Sequence, residues 1–218
     1  VDFLGWTMLA MLVLGVAALS FFGGRLEARR MAAARAWATA AGLRELSLSE
    51  RKVPTRRRDR SLPAFKGSLR DSPLTVIQTS GYSHGHYVWS LRTTATSLPA
   101  LYVVSRFEDV LSRPWRRAES AHPELRARGW SQVKTGDTAF DARIIVWSPF
   151  PDGASWLEPA LRAALLDRAF ISLQIFDDHA ANLRMGESSG TPLGEVLVSG
   201  LAILTQALGT TSYREPAR

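Results

Sequence analysis

Cysteine is absent from this chain, which removes disulfides, Cys-ligated zinc, iron–sulfur clusters and thiol catalysis together. Histidine is scarce, with four in 218 residues. The sequence also lacks G-x-S-x-G, a P-loop, G-x-G-x-x-G and H-E-x-x-H, so no nucleophile elbow, phosphate cradle or zinc-protease helix is announced. No internal repeat is visible. Charge is missing from one place in particular: Phe3 to Gly24 runs for 22 residues without an ionisable side chain.

What the chain does have is a basic excess, net +7, and its position matters more than its size. Residues 25–60 hold 11 basic and 4 acidic side chains, while residues 61–218 hold 16 and 15. The excess therefore lies beside the apolar run. At about 1.5 Å per residue, that run is long enough to cross a ~30 Å hydrocarbon core. It predicts an uncleaved single transmembrane helix over residues 1–24, because only Val1 and Asp2 precede it and no A-x-A-like site follows. Arg25, Arg29, Arg30 and Arg35 on its far side predict an N-terminus outside and a cytoplasmic C-terminal domain. Trp6, with Phe21 and Phe22, suits interfacial anchoring, and Gly5, Gly15, Ala18 and Ser20 offer a packing face for a partner helix.

Residues 25–60 form the next unit, a basic juxtamembrane helix and linker. RLEARRMAAARAWATAAGL is rich in helix formers and stops at Gly42. Leu26, Ala33 or Ala34, Trp37 and Ala41 recur at helical spacing, and Trp37 predicts packing on the domain or on a partner. In ERKVPTRRRDR, Pro54 breaks any helix. Its cluster Arg56, Arg57, Arg58 and Arg60 reads as a solvated linker or as an anionic-lipid contact, together with Arg25, Arg29 and Arg30. The cluster holds no stacking aromatics, so nucleic acid is not expected as a partner.

Residues 61–218 predict an α+β domain in which an antiparallel sheet is followed by helices. Strands are expected at 65–69, 74–79, 87–94, 100–105, 143–148, 171–176 and 181–185, with a hairpin around Gly81–Gly85. Val88, Ser90 and Arg92 alternate with Trp89 and Leu91, as in a half-buried strand. Residues 107–111 read as a short helix, and RPWRRAESAHPELRARGW as a polar insertion ending near Gly129. Ser155 and Glu158 have capping-box spacing ahead of Leu157, Leu161, Ala164 and Leu165. Thr191 and Pro192 open a last amphipathic helix carrying Leu193, Val196, Leu197, Gly200, Leu201, Leu204 and Leu208.

Few residues carry candidate chemistry. His84 and His86 flank a glycine in the expected hairpin turn, but two imidazoles do not make a metal site. His122 and His179 are isolated. Asp137 and Asp141, four apart in TGDTAFD, have the residue types for general acid–base work or cation binding; as residues of a Gly-containing loop they also suit backbone capping. No cofactor, metal or catalytic residue is expected.

The pattern TGDTAFDARIIVWS, then LEPALRAALL, then a short strand, resembles that of uncharacterised bacterial single-pass membrane-anchored proteins with a GD-x-x-FD loop. The resemblance covers residues 134–176, departs at Ile144 where an aromatic is common, and implies an α+β domain without implying a site. By layout the chain also resembles accessory subunits of photosynthetic and respiratory supercomplexes, a reaction-centre–light-harvesting assembly foremost. That likeness implies a bacterial inner-membrane, non-catalytic scaffolding subunit that contacts membrane lipids and other integral membrane subunits. Trp37, Trp115, Trp130 and Trp156 are its candidate partner contacts. The alternative is a stand-alone membrane-tethered module that binds anionic lipid or a soluble ligand.

Overall fold

A computed structural model describes residues 3–51, 62–80, 87–95, 98–106, 123–176, 179–187 and 192–209. For residues 3–10, 12–20, 22, 23, 80 and 87 it describes the backbone alone. The described chain is α+β: nine strands in one antiparallel sheet, five α-helices and a short 3₁₀ turn.

Helix α1 spans Phe3–Ala40 without interruption. It ends where Gly42 takes φ 70°, a left-handed value that glycine adopts at no steric cost. There Leu43 N donates to Ala38 O (2.8 Å) and Gly42 N to Thr39 O (3.0 Å), satisfying the last carbonyls in a Schellman-like stop. Strand β1 (Arg44–Glu45) follows at once and pairs with β2 (Ala64–Leu69). The next strands are β3 (Ser72–Ser80), β4 (Tyr87–Thr94) and β5 (Leu101–Ser105). After α2 (Pro123–Ala127) come β6 (Ser131–Val133), α3 (Thr138–Arg143) and β7 (Ile144–Ser148). The 3₁₀ turn Gly153–Trp156 leads to α4 (Pro159–Leu165), β8 (Phe170–Ile175), β9 (Ala180–Glu187) and α5 (Leu193–Gly209).

The strand order is β1-β2-β3-β4-β9-β8-β5-β7-β6. Hairpins build β2–β3–β4 and β8–β9, and β9 then joins β4 in full register from Tyr87↔Glu187 to Thr94↔Ala180. Because side chains alternate across a strand, this register decides which residues share a face. Phe65, Leu74, Val76, Trp89, Leu91, Leu101, Val103, Val146, Leu173, Leu183 and Met185 form one continuous core. It is closed by Ala34 and Ala38 of α1, Phe140 of α3, Leu161 and Leu165 of α4, and Val196, Leu197, Ile203 and Leu204 of α5. Each large side chain sealed there contributes on the order of 1.5–3 kcal/mol. Helix α5 packs closely on the sheet at Gly200, where a Cβ would lie 3.1 Å from Leu91 Cδ2 and 3.4 Å from Met185 Cγ. The opposite face of the sheet carries a smaller cluster: Tyr102, Val104, Ile145 and Trp147, roofed by Leu125 of α2 and by Trp130.

Among the described residues, no helix is long and apolar enough to cross a membrane. This overturns the expected transmembrane helix, and with it the single-pass bacterial inner-membrane placement, the N-terminus outside and the C-terminal domain in the cytoplasm. The physical reason lies in the part of α1 whose side chains are described from Gly24 onward. It bears Arg25, Glu27, Arg29, Arg30 and Arg35, and it turns Ala34 and Ala38 into the protein core at 1% exposure each. The photosynthetic association rested on the single-pass layout and falls with it.

Candidate binding face

Of the residues singled out for chemistry, Asp137, Asp141 and His179 are engaged with the backbone. Asp137 caps α3, its Oδ1 accepting from Phe140 N at 3.1 Å. Asp141 Oδ1 accepts from Thr135 N (3.2 Å) and Thr135 Oγ1 (3.0 Å), closing the loop that leads into the helix. Arg162 Nη1 stands 3.8 Å from Asp137 Oδ2. His179 Nδ1 lies 2.8 Å from Leu98 O at a turn where the residue has φ 52°. Among the described residues, no group of three or more His, Asp or Glu is placed to hold a metal ion. His84, His86 and His122 lie outside the described residues.

The expected contact residues are dispersed. Arg25 is exposed with its guanidinium 4.4 Å from the Phe21 ring centroid, and Arg29 is exposed. Arg30 instead reaches inward to Glu187, Nε to Oε1 3.4 Å. Trp37 is half-buried against the main core. Trp130 and Trp156, expected to meet a partner, are 6% and 4% exposed and belong to the protein's own interior. The Trp6 side chain, Arg56, Arg57, Arg58, Arg60 and Trp115 lie outside the described residues.

What the fold assembles, and the linear sequence does not display, is the outward side of β2, β3, β4, β9 and β8. The register aligns Lys66, Thr75, Arg92, Asn182, Gln174 and Tyr102 in one row across six strands. The neighbouring row runs Ile77, Ser90, Arg184, Ser172. Lys66, Arg92 and Arg184 are exposed, and Thr75, Ser90, Asn182 and Gln174 are half-exposed. Ser90 Oγ donates to Asn182 Oδ1 at 2.6 Å, which fixes the amide between two cationic neighbours. Beyond Tyr102 the row enters the aromatic cluster, where Arg126 lies 5.7 Å from the Trp147 ring and Arg128 5.7 Å from the Phe176 ring. Alternation within each strand was a sufficient signal that Arg92 points outward. The signal for the whole face was missing, because it depends on β9 lying beside β4.

No family model matches the chain, and no curated protein matches it. Among solved structures, the crystal structure of the mycobacterial trehalose monomycolate transport factor A, TtfA, is similar with a TM-score of 0.47 at 8% identity, over 83% of this chain and 95% of that one. A likeness of that size does not establish a shared fold, and it lends no support to the GD-x-x-FD resemblance.

Proposed function

We propose that this chain is a non-catalytic accessory subunit that acts by holding a protein partner, with α1 as its grip. The observation that supports this reading is the division of labour along one helix. From Arg30 to Ala40, α1 is fastened to the domain by Ala34, Ala38 and Trp37, by the Arg30–Glu187 pair, and by Arg35 Nε donating to Glu45 Oε2 at 2.8 Å. Farther toward the N-terminus, Met11 and Phe21 stand 72% and 57% exposed in a stretch whose sequence has no charge from Phe3 to Gly24. Large apolar side chains exposed along one element favour a covering surface, and a helix fastened at one end presents them to a partner at reduced ordering cost. The carboxylates of Asp137 and Asp141, engaged in capping, favour a binding role over catalysis.

A photo-crosslinking amino acid at Met11 or Phe21, compared with one at Val198 on α5, which is as exposed as Phe21, tests the reading in the native host. A discrete protein adduct is expected from the α1 positions and not from Val198. Adducts to lipid alone, or a monomer without adducts, would refute it.

A further inference from the structure

We propose that the outward face of β2, β3, β4, β9 and β8 is a docking surface for an acidic segment of a partner protein. Residues 61–218 are nearly balanced, with 16 basic and 15 acidic side chains, so composition does not announce such a face. Folding sorts the charges. Asp137, Asp141 and Asp167 accept backbone N–H groups in loops and at a helix start, and Glu187 is turned into the core. The outward strand positions hold Lys66, Arg92 and Arg184 and, among the described residues, no acid. Arg126 and Arg128, held over aromatic rings, extend the positive surface at the β8–β5 side.

Spacing identifies the occupant. Neighbouring strands lie about 4.8 Å apart, so Lys66 and Arg92, separated by β3, stand roughly 10 Å from one another. Arg184 is opposite Ser90, two residues from Arg92, and the diagonal is about 7–8 Å. A single carboxylate or phosphate would need all three long side chains to bend onto it, whereas acids distributed along an extended segment meet each cation where the strand places it. Thr75 and Asn182 lie among the cations, with Gln174 next in the row, and supply neutral donors and acceptors for a peptide backbone. Single-stranded nucleic acid also distributes negative charge, but it binds such faces through exposed rings that stack on bases. Among the described residues, the rings on that side are committed to the protein's own cluster: Tyr102, Trp130 and Trp147 are 8%, 6% and 1% exposed, and Phe176 packs half-buried against them. Charge complementarity without a stacking platform points to acidic protein.

Full-length protein titrated with fluorescent deca-glutamate at low salt gives the test. Binding is expected to weaken about tenfold or more in Lys66→Gln/Arg92→Gln/Arg184→Gln, and to fade as ionic strength rises to about 0.5 M. A charge-matched control, Lys134→Gln/Arg143→Gln/Arg168→Gln, removes three exposed cations away from this face and from α1, and is expected to bind as the parent does. The three single variants, each expected to lose about two- to threefold, carry the same reading if the triple variant does not fold. Absent binding by the parent, equal losses in the control, or tighter binding of a thymidine decamer than of deca-glutamate would overturn the proposal. None of these readouts involves α1, so the outcome is separable from that of the crosslinking experiment.

Discussion

Arg30 of α1 and Glu187 of β9 meet across the seam between the long helix and the sheet, Nε to Oε1 3.4 Å, with the carboxylate side chain 3% exposed. The other carboxylate oxygen accepts from the buried indole Nε1 of Trp89 at 3.3 Å. A buried acid thus ties together the helix and two adjacent strands. Removing one member leaves the other desolvated, which costs more than the pair contributes when intact. Because Arg30 keeps 30% of its side-chain surface, Arg30→Ala is expected to destabilise by about 1–2 kcal/mol, and Glu187→Ala by about 2–3 kcal/mol. Urea unfolding checks both, and losses under 0.5 kcal/mol in each would show that α1 is docked by apolar contact alone.

The strand alternation that predicts β4 over 87–94 is the observed element, with Trp89 and Leu91 inward and Arg92 outward. The helical stop at Gly42 is equally local and equally legible. Short elements were not: β1 has two residues, β6 three and α3 six, too few for either periodicity to register. At Ser155 and Glu158 the spacing of a capping box is real, yet the helix starts at Pro159, with Glu158 as N-cap making no side-chain cap bond. Residues 153–156 form a 3₁₀ turn instead, which buries Trp156. Pro159 sets that start, since a proline fits the first helical position. Least legible of all was the candidate face: Lys66, Arg92 and Arg184 come together only through β4–β9 pairing between segments far apart in sequence.

The β2–β3 hairpin turns through Arg70 and Asp71, both at positive φ (47° and 63°), with Leu69 paired to Ser72. Two left-handed residues are what a two-residue primed turn demands, and Asn-Gly is its favoured sequence. Neither residue here is glycine. Asp71→Gly is therefore expected to stabilise by about 0.5–1 kcal/mol, read as a rise in thermal midpoint. A fall would mean that Asp71 makes a contribution in the folded state larger than its backbone strain.

Gly153 opens the 3₁₀ turn directly against Ser148; a Cβ there would lie 2.6 Å from Ser148 Cβ and closer still to its Oγ. Ser148 cannot yield easily, because it is fully buried and its Oγ accepts from Phe150 N at 3.1 Å. Gly153→Ala should cost about 2–3 kcal/mol through overpacking. Adding Ser148→Gly should recover part of that loss, a coupling a double-mutant cycle measures. Strict additivity of the two substitutions would place the strain elsewhere.

Thr93 is completely buried opposite Ala181, and its Oγ1 has no hydrogen-bond partner among the described residues. Leaving a hydroxyl desolvated and unbonded costs about 1–3 kcal/mol, whereas a methyl in its place fits the same volume and the β propensity of the strand. Thr93→Val is expected to be neutral or stabilising by up to about 1 kcal/mol in urea unfolding. A loss of stability would indicate an acceptor for that hydroxyl.

The turn after β1 is held by charge, so its stability depends on pH. Arg44 Nη2 donates to Glu50 Oε1 at 2.8 Å, and Ser47 N and Oγ both donate to Oε2, at 3.0 and 2.9 Å. The Arg44 hydrogen bond, and then those from Ser47, lower the Glu50 carboxyl from 4.5 to about 2. Glu45 is lowered too, chiefly by its hydrogen bond from Arg35. A carboxyl depressed on folding stabilises above its unfolded value, and that contribution is lost as pH falls through the folded one. Protection of the Ser47 amide from hydrogen exchange should therefore hold down to about pH 4.5 and decline from there toward about pH 2. In Glu50→Gln that acid-dependent decline should disappear, with lower protection at neutral pH. The substituted chain would keep an amide oxygen near Ser47 but no charge for Arg44, so an unchanged pH profile would assign the transition to Glu45 and the α1–β1 contact instead.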